Sequence, residues 1–286
     1  MMKVLLTGGT GFLGSRVQRY LRQGYEVGTL PSALLRGELT AARMERLAEA
    51  VAAEKADVLF HAAAISDTGY AQQHPEESYR ANVCLPQTLA GIAAKLRCKF
   101  VFCSSDQVYG GCAGKGPFAE DMPLKPVNVY GRHKLEAEAL VAEAAPGAVS
   151  LRLTWMYDLP ACRLPSHRDL LLQMLLAAVR REPLPLSATD YRGVTYVGQV
   201  LENLPMAFAL PGGVYNFGSG SDQNIFQIAV AWRGELGLDG LEIQPVDGNL
   251  RSLCMDMGKT KAVGIAFDET IFGIRRCISD YGLDKL

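Results

Sequence analysis

The chain has 286 residues, 49% of them hydrophobic, and 29 Lys and Arg stand against 30 Asp and Glu. That length buries a sizeable core, as one large α/β domain or as two lobes. The even charge, with no basic cluster, argues against nucleic-acid or anionic-membrane partners, and the most apolar stretch, 170–179, is too short to span a bilayer and carries Gln173.

The start, Met1-Met2-Lys3, runs directly into a strand pattern, which leaves no room for a signal peptide and fits a cytoplasmic protein. Cysteines at Cys84, Cys98, Cys103, Cys112, Cys162, Cys254 and Cys277 make an odd count with no Cys-x-x-Cys pair. Reduced, mostly buried thiols are expected, and no metal site, since His61, His74, His133 and His167 are also scattered.

The first element is Lys3–Thr7, a short apolar run of strand character. It breaks into Gly8-Gly9-Thr10-Gly11-Phe12-Leu13-Gly14 and then a helical pattern over 12–23, with Phe12, Leu13, Val17 and Leu21 on one face. Glycines three apart on such a turn serve either a tight connection that needs positive φ or a pyrophosphate held by bare N–H groups at a helix start. The strand before and the helix after favour the second.

Further strands are expected at 26–30, 57–61, 99–104 and 150–153, with helices near 41–54, 76–96 and 130–144. The strands are continuous apolar runs, as in a parallel sheet covered on both faces. Their alternation with helices argues for an α/β, Rossmann-type doubly wound sheet. Later come a helix around 169–181, a breaker at 182–185, a helix over 197–210, a strand at 214–217, a helix over 225–236 and a strand at 242–244. The expected division is a dinucleotide-binding domain over 1–157 and a smaller C-terminal α/β substrate lobe over 158–286. Segments near 190–218 would return to the main sheet.

Tyr130 and Lys134 stand four apart at the start of a helix, hence on one face. An ammonium beside a phenol favours the phenolate, so the pair can exchange a proton with a carbonyl or alcohol oxygen. A second such spacing, Tyr281 to Lys285, has no strand-end hydroxyl upstream and reads as a decoy. Strand 99–104 runs into Ser104-Ser105-Asp106-Gln107, and hydroxyls at the carboxyl end of a sheet strand face the ligand crevice. Ser and Asp also make ordinary turns at such places. The order of glycine turn, strand-end serine and Tyr-x-x-x-Lys is what joins them.

After the second strand, Leu30-Pro31-Ser32-Ala33-Leu34 lacks the acidic residue that NAD-selective folds carry there. Arg16 and Arg36 offer cations to a 2′-phosphate, though both also read as solvated surface. The balance tilts to NADP, with NAD open.

Residues 8–14, His61-Ala62-Ala63-Ala64, 104–110, 130–134 and Arg152-Leu153-Thr154-Trp155-Met156-Tyr157 resemble the extended short-chain dehydrogenase/reductases. Within these the chain is similar to the dTDP-4-dehydrorhamnose reductases, strongly to about residue 160 and loosely beyond. The resemblance implies an NAD(P)-dependent oxidoreductase of nucleotide-sugar metabolism with catalytic Ser105, Tyr130 and Lys134. Ser105 would hold the substrate carbonyl, Tyr130 would deliver the proton, and Lys134 would hold the nicotinamide ribose and lower the Tyr130 pKa. Gly8, Thr10, Gly11, Phe12, Leu13 and Gly14 would hold the pyrophosphate, with Ala62, Ala63 and Ala64 as a floor. Glu38 and Leu39, in a run similar to the family's Gly-Asp-Leu, would reach adenine, and Asn82 would support the site. Ser66, Ser105, Asp106, Trp155 and Arg251 would face a nucleotide-sugar, and a homodimer is the expected assembly.

Sugar-nucleotide dehydratases place Asp-Glu after the catalytic hydroxyl, whereas this chain has Asp106-Gln107, and an amide cannot act as the base of an elimination. Reduction of a keto group is therefore favoured. The alternatives are an epimerase and a non-catalytic NADP-binding subunit like the methionine adenosyltransferase β subunit. At the substrate end the family's Arg-Pro-x-x-Ser is absent from 249–256, Asn-Phe is missing from 158–167, and Val194 stands where Pro is usual.

Overall fold

The computed structural model describes residues 1–160 and 164–285, so the expectations for Cys162 and for the Lys285 side chain lie outside it. In chain order the elements are β1 (Lys3–Thr7), α1 (Phe12–Leu21), β2 (Glu26–Thr29), α2 (Ser32–Leu35), α3 (Ala41–Glu54), β3 (Val58–His61), α4 (Thr68–Gln73) and α5 (Pro75–Tyr79). A π-helical turn at Arg80–Cys84 leads to α6 (Leu85–Lys95), β4 (Lys99–Ser105), α7 (Val129–Ala144), β5 (Val149–Leu153), β6 (Trp155–Tyr157) and α8 (Leu170–Arg180). There follow β7 (Leu184–Ser187), β8 (Asp190–Tyr191), β9 (Val194–Tyr196), α9 (Val197–Phe208), β10 (Gly213–Phe217) and α10 (Ile225–Glu235). The last are β11 (Ile243–Val246), β12 (Arg251–Ser252), α11 (Gly258–Lys261) and α12 (Thr270–Asp280).

The first of two compact units comprises Met1–Val108, Lys125–Arg152 and Leu204–Tyr215. Its six-stranded parallel sheet runs β2-β1-β3-β4-β5-β10, so the order reverses between β1 and β3. Ligands of open α/β sheets bind beyond the strand ends at such a reversal. Leu5, Leu59, Phe100 and Phe102 are fully or almost fully buried and pack with Leu47, Val51, Leu89 and Val141 from the helices. Burial on both sheet faces accounts for the unbroken apolar runs.

The helix expected over 76–96 is interrupted. Pro86 has no N–H to give the carbonyl four residues back, that of Asn82, and the chain takes a wider turn at Arg80–Cys84 before α6 resumes.

The second unit comprises Tyr109–Leu124, Leu153–Asn203 and Asn216–Leu286. The boundary expected after residue 157 thus falls after Arg152, and 109–124 joins this unit rather than the first. Asn216 explains that assignment. Its Oδ1 accepts from the Tyr109 hydroxyl at 2.7 Å, and its Nδ2 donates to the carbonyls of Phe118 (3.0 Å) and Asp256 (2.9 Å). Of the segments near 190–218 expected to return to the main sheet, β10 (Gly213–Phe217) does so, beside β5.

Three short parallel ribbons, β7 with β11, β8 with β12 and β6 with β9, belong to this unit, in which Trp232, Tyr157, Leu171 and Ile228 are fully buried. The break expected at 182–185 is met at 182–183, after α8 ends at Arg180, and β7 then starts at Leu184, with Pro185 opposite Gln244. Proline is tolerated because both strands of a two-stranded ribbon are edges. No described helix is long and apolar enough to cross a membrane. Cys84, Cys98, Cys103, Cys254 and Cys277 carry free thiols, all but Cys84 of them buried.

Candidate active site

The turn after β1 packs as closely as its glycines allow. Gly8 has φ +73°, and a Cβ there would fall 2.6 Å from the Ala63 nitrogen, so only glycine lets β1 and the chain after β3 meet so closely. A Cβ on Gly14 would strike the Gly8 carbonyl oxygen at 2.1 Å. Gly11 differs: its hypothetical Cβ comes no closer than 3.4 Å to protein, and the residue lines a cavity of about 450 Å³. Helix α1 starts beside it with no side-chain cap and no acidic residue in its first turn. An uncapped helix start beside open space suits an anion such as a pyrophosphate.

Gly8, Thr10, Gly11, Arg36, Leu39 and Ala62, Ala63 and Ala64 all line this cavity. Ser32, Ile65, Glu77 and Arg80 line it too and were not singled out from sequence. Ser32 occupies the place after β2 searched for an acid, and Arg80 lies on the π-helical turn, whose only sequence signal was Pro86. The loop that carries Arg36 is fixed by Arg43, whose Nε and Nη2 donate to the Leu34 carbonyl at 3.2 and 3.0 Å.

Other expected cofactor residues sit elsewhere. Arg16 is buried, donates to the Phe12 carbonyl at 3.0 Å and stacks over the Phe12 ring at 4.0 Å, which ties its guanidinium to its own helix and not to the cavity lining. Asn82 accepts from Ile65 N at 3.0 Å and donates to Ile65 O (2.9 Å) and Ser78 Oγ (3.0 Å), so it shapes the wall at Ile65. Phe12, Leu13 and Gly14 form the first turn of α1 behind the lining, and the Glu38 side chain is outside it.

At the end of β4 the three expected catalytic residues come together. Ser105 ends the strand, and its hydroxyl donates to Asp106 Oδ1 at 3.2 Å while accepting from Gln107 N at 3.2 Å. Tyr130 lies in the first turn of α7, which Asn128 caps by accepting from Gly131 N at 2.7 Å. Gly131 lets this turn close on Gln107, whose carbonyl oxygen would lie 2.5 Å from a Cβ there. The Tyr130 phenol is buried. That burial, and then Asp106, push its pKa above the ordinary value, and a hydrogen bond with Ser105 opposes them.

Lys134, one turn along α7, is buried and donates to the Cys103 carbonyl at 2.7 Å. Its ammonium stands 4.6 Å from the centre of the Phe102 ring and 5.7 Å from that of Tyr130. Burial draws its pKa down to about 8. The lowered Tyr130 pKa expected from sequence is therefore not found: both groups are desolvated, which disfavours phenolate and ammonium alike.

Of the expected substrate residues, Asp106 is buried beside Ser105, and Ser66 is exposed on the loop after β3. Trp155 and Arg251 belong to the second unit. There the Arg192 guanidinium lies 5.0 Å over the Trp155 ring, and Arg251 pairs with Asp190 at 3.0 Å. The decoy Tyr281 hydroxyl donates to Asp158 in that same unit.

Residues 2–252 match the family described as RmlD substrate binding domain. The spore coat polysaccharide biosynthesis protein SpsK of Bacillus subtilis is 25% identical over 84% of this chain and 81% of its own length. A dTDP-4-dehydrorhamnose reductase of Burkholderia thailandensis is 31% identical over 73% of this chain and 66% of its own. In fold, the chain superimposes with TM-score 0.85 on a dTDP-4-dehydrorhamnose reductase of Bacillus anthracis crystallised with NADP, at 19% identity, covering 98% of this chain and 99% of that one. The resemblance read from the motifs thus extends to sequence and fold.

Proposed function

Because the chain belongs to the RmlD substrate binding domain family, we propose that it is an NADP(H)-dependent reductase of the keto group of a nucleotide-activated deoxysugar. The observation that carries this reading is the convergence of Ser105, which ends β4, with Tyr130 and Lys134 one turn apart on α7, the Lys134 ammonium lying 5.7 Å from the Tyr130 ring centre and donating to the Cys103 carbonyl at 2.7 Å. These stand in the same unit as a cavity suited to a dinucleotide.

A nicotinamide held in the cavity lined by Gly11 and Ala63 would supply the hydride. Ser105 orients the keto oxygen by donating a hydrogen bond to it. Tyr130 gives that oxygen its proton as negative charge develops there. Burial keeps the phenol protonated at neutral pH, the state needed for the reducing direction. Lys134 then offsets the charge left on the phenolate. Gln107 takes the place of a second carboxylate and is engaged by Asn128 at 3.0 Å, which fits reduction better than dehydration.

NADP is favoured over NAD because Ser32 and Arg36 line the cavity where an acidic residue would otherwise meet the ribose hydroxyls. With Arg16 held on α1, Arg36 is the cation best suited to a 2′-phosphate.

The direct test is NADPH and NADH consumption against a panel of dTDP- and UDP-linked 4-keto sugars. The expected result is NADPH oxidation matched by formation of the alcohol. Tight NADP binding without turnover on any panel member would overturn it in favour of a binding subunit. Sugar conversion without net nicotinamide consumption would overturn it in favour of an epimerase.

A further inference from the structure

Three charged side chains line the cofactor cavity: Arg36, Glu77 and Arg80. Arg36 follows β2, at one edge of the β2-β1-β3 strand order. Arg80 belongs to the segment after β3, on the wall that Asn82 fastens to Ile65. The two guanidinium groups therefore come to the cavity from opposite sides of β1.

The π-helical turn gives Arg80 its place. Leu85 N–H donates to the Arg80 carbonyl, five residues back, so both residues fall on one side of this wide turn, and both line the cavity. Ser78 and Asn82 take the buried side, where the Asn82 amide donates to the Ser78 hydroxyl at 3.0 Å. Arg80 itself is half-buried, and its guanidinium has no hydrogen-bond or ion-pair partner among the described residues. Glu77 stands within helical reach of it, yet its carboxylate accepts from the Tyr70 hydroxyl at 2.8 Å.

We propose, on the reading of this cavity as a dinucleotide site, that Arg80 is its diphosphate anchor. In such a fold the ribose end lies beyond the second strand and the diphosphate lies at the glycine turn after the first. Here that turn offers Gly11 and the uncapped start of α1, but no cation, because Arg16 is held on Phe12. Backbone dipoles alone would face a group with two negative charges. Arg80 supplies the missing charge from the far side, in a planar fork that matches phosphate oxygens. The two arginines then divide the cofactor: Arg36 meets the 2′-phosphate that only NADP carries, and Arg80 the diphosphate common to NADP and NAD.

Nucleotide fragments separate these roles. ADP has the diphosphate without a 2′-phosphate, and 2′-AMP has the reverse. Titration calorimetry on the full chain should show Arg80→Gln weakening ADP about tenfold or more while 2′-AMP stays within about twofold. NADPH and NADH should weaken by one common factor. Arg80→Lys, which keeps the charge without the fork, should fall between wild type and Arg80→Gln. Since no protein group holds the guanidinium, the Arg80→Gln protein should melt within about 2 °C of wild type. ADP affinity that is absent in the wild type or unchanged in Arg80→Gln overturns the proposal. Equal losses for ADP and 2′-AMP also overturn it, by assigning Arg80 to the adenine ring. If ADP binding depends on Arg80 but the wild type reduces no keto sugar, the anchor stands and the reductase reading fails.

Discussion

Thr7 Oγ1 lies 2.7 Å from His61 Nδ1, and these are register partners at the ends of β1 and β3. The same oxygen accepts from Ala63 N at 3.3 Å. One hydroxyl therefore ties together the two chain segments, Gly8 on one side and Ala62 to Ala64 on the other, that wall the cofactor cavity. The imidazole lies between Phe100 and Phe102, each ring centre 6.0 Å away, with its Nε2 buried and unpartnered.

This buried histidine should make stability depend on pH. Its pKa is lowered by burial, then by Lys134, to about 3, against about 6.5 in the unfolded chain. Between those values the unfolded state binds a proton that the folded state does not, so stability is full above pH 6.5 and falls as pH drops toward 3. The slope is at most about 1.4 kcal/mol per pH unit. His61→Asn should flatten denaturant-derived stability across that window; an unchanged slope would show that the imidazole is not the group responsible.

Gly11 and Gly14 should separate under alanine substitution. Gly11 has φ −81° and room for a Cβ on the protein side, so Gly11→Ala should melt within about 2 °C of wild type. The added methyl enters the cavity, and NADPH should bind at least about tenfold more weakly, or about 1.4 kcal/mol. Gly14→Ala drives a Cβ against the Gly8 carbonyl and should lower the melting temperature as well as the affinity. Fluorescence titration and thermal melts on the two variants read both effects.

Tyr130→Phe should reduce turnover by about 10²-fold or more, the usual contribution of a placed general acid. The cofactor dissociation constant should stay within about threefold, since the ring is kept. Wild-type reduction should be flat through neutral pH, because the phenol stays protonated there, and decline as Lys134 loses its proton near pH 8. Near-normal turnover in the phenylalanine variant would remove Tyr130 from the reaction.

Arg36→Glu should invert cofactor preference. A carboxylate at this place on the cavity rim repels a 2′-phosphate and can accept from ribose hydroxyls. NADPH affinity should fall about tenfold or more, one charge-assisted contact being worth roughly 1.4 kcal/mol, while NADH affinity holds or improves. Equal losses for both cofactors would assign Arg36 to adenine or to loop structure.

The parts of this molecule that sequence makes legible are those governed by local chemistry. Strand β1, its glycine turn and α1 are written in consecutive residues, as is the Tyr130–Lys134 spacing. What sequence hides depends on distant atoms. Arg16 looks like a phosphate ligand until its guanidinium is seen on Phe12. Asn82 reads as a supporting residue, but only the folded chain shows that it supports through the Ile65 backbone. The Tyr130 pKa is set by a buried surface that no spacing reveals. Pro185 reads as a stop because proline costs a ladder bond in a wide sheet, but a ribbon of two strands has no interior to lose.

That ribbon guards the molecule against self-association. Two paired strands leave bare margins on both sides, where a stray polypeptide could extend the array and seed a fibril. Here Pro185 on β7 and Pro245 on β11 each delete an amide donor from so short a stretch that an incoming strand meets gaps in its ladder. The prolines within these two strands are what keep them solitary.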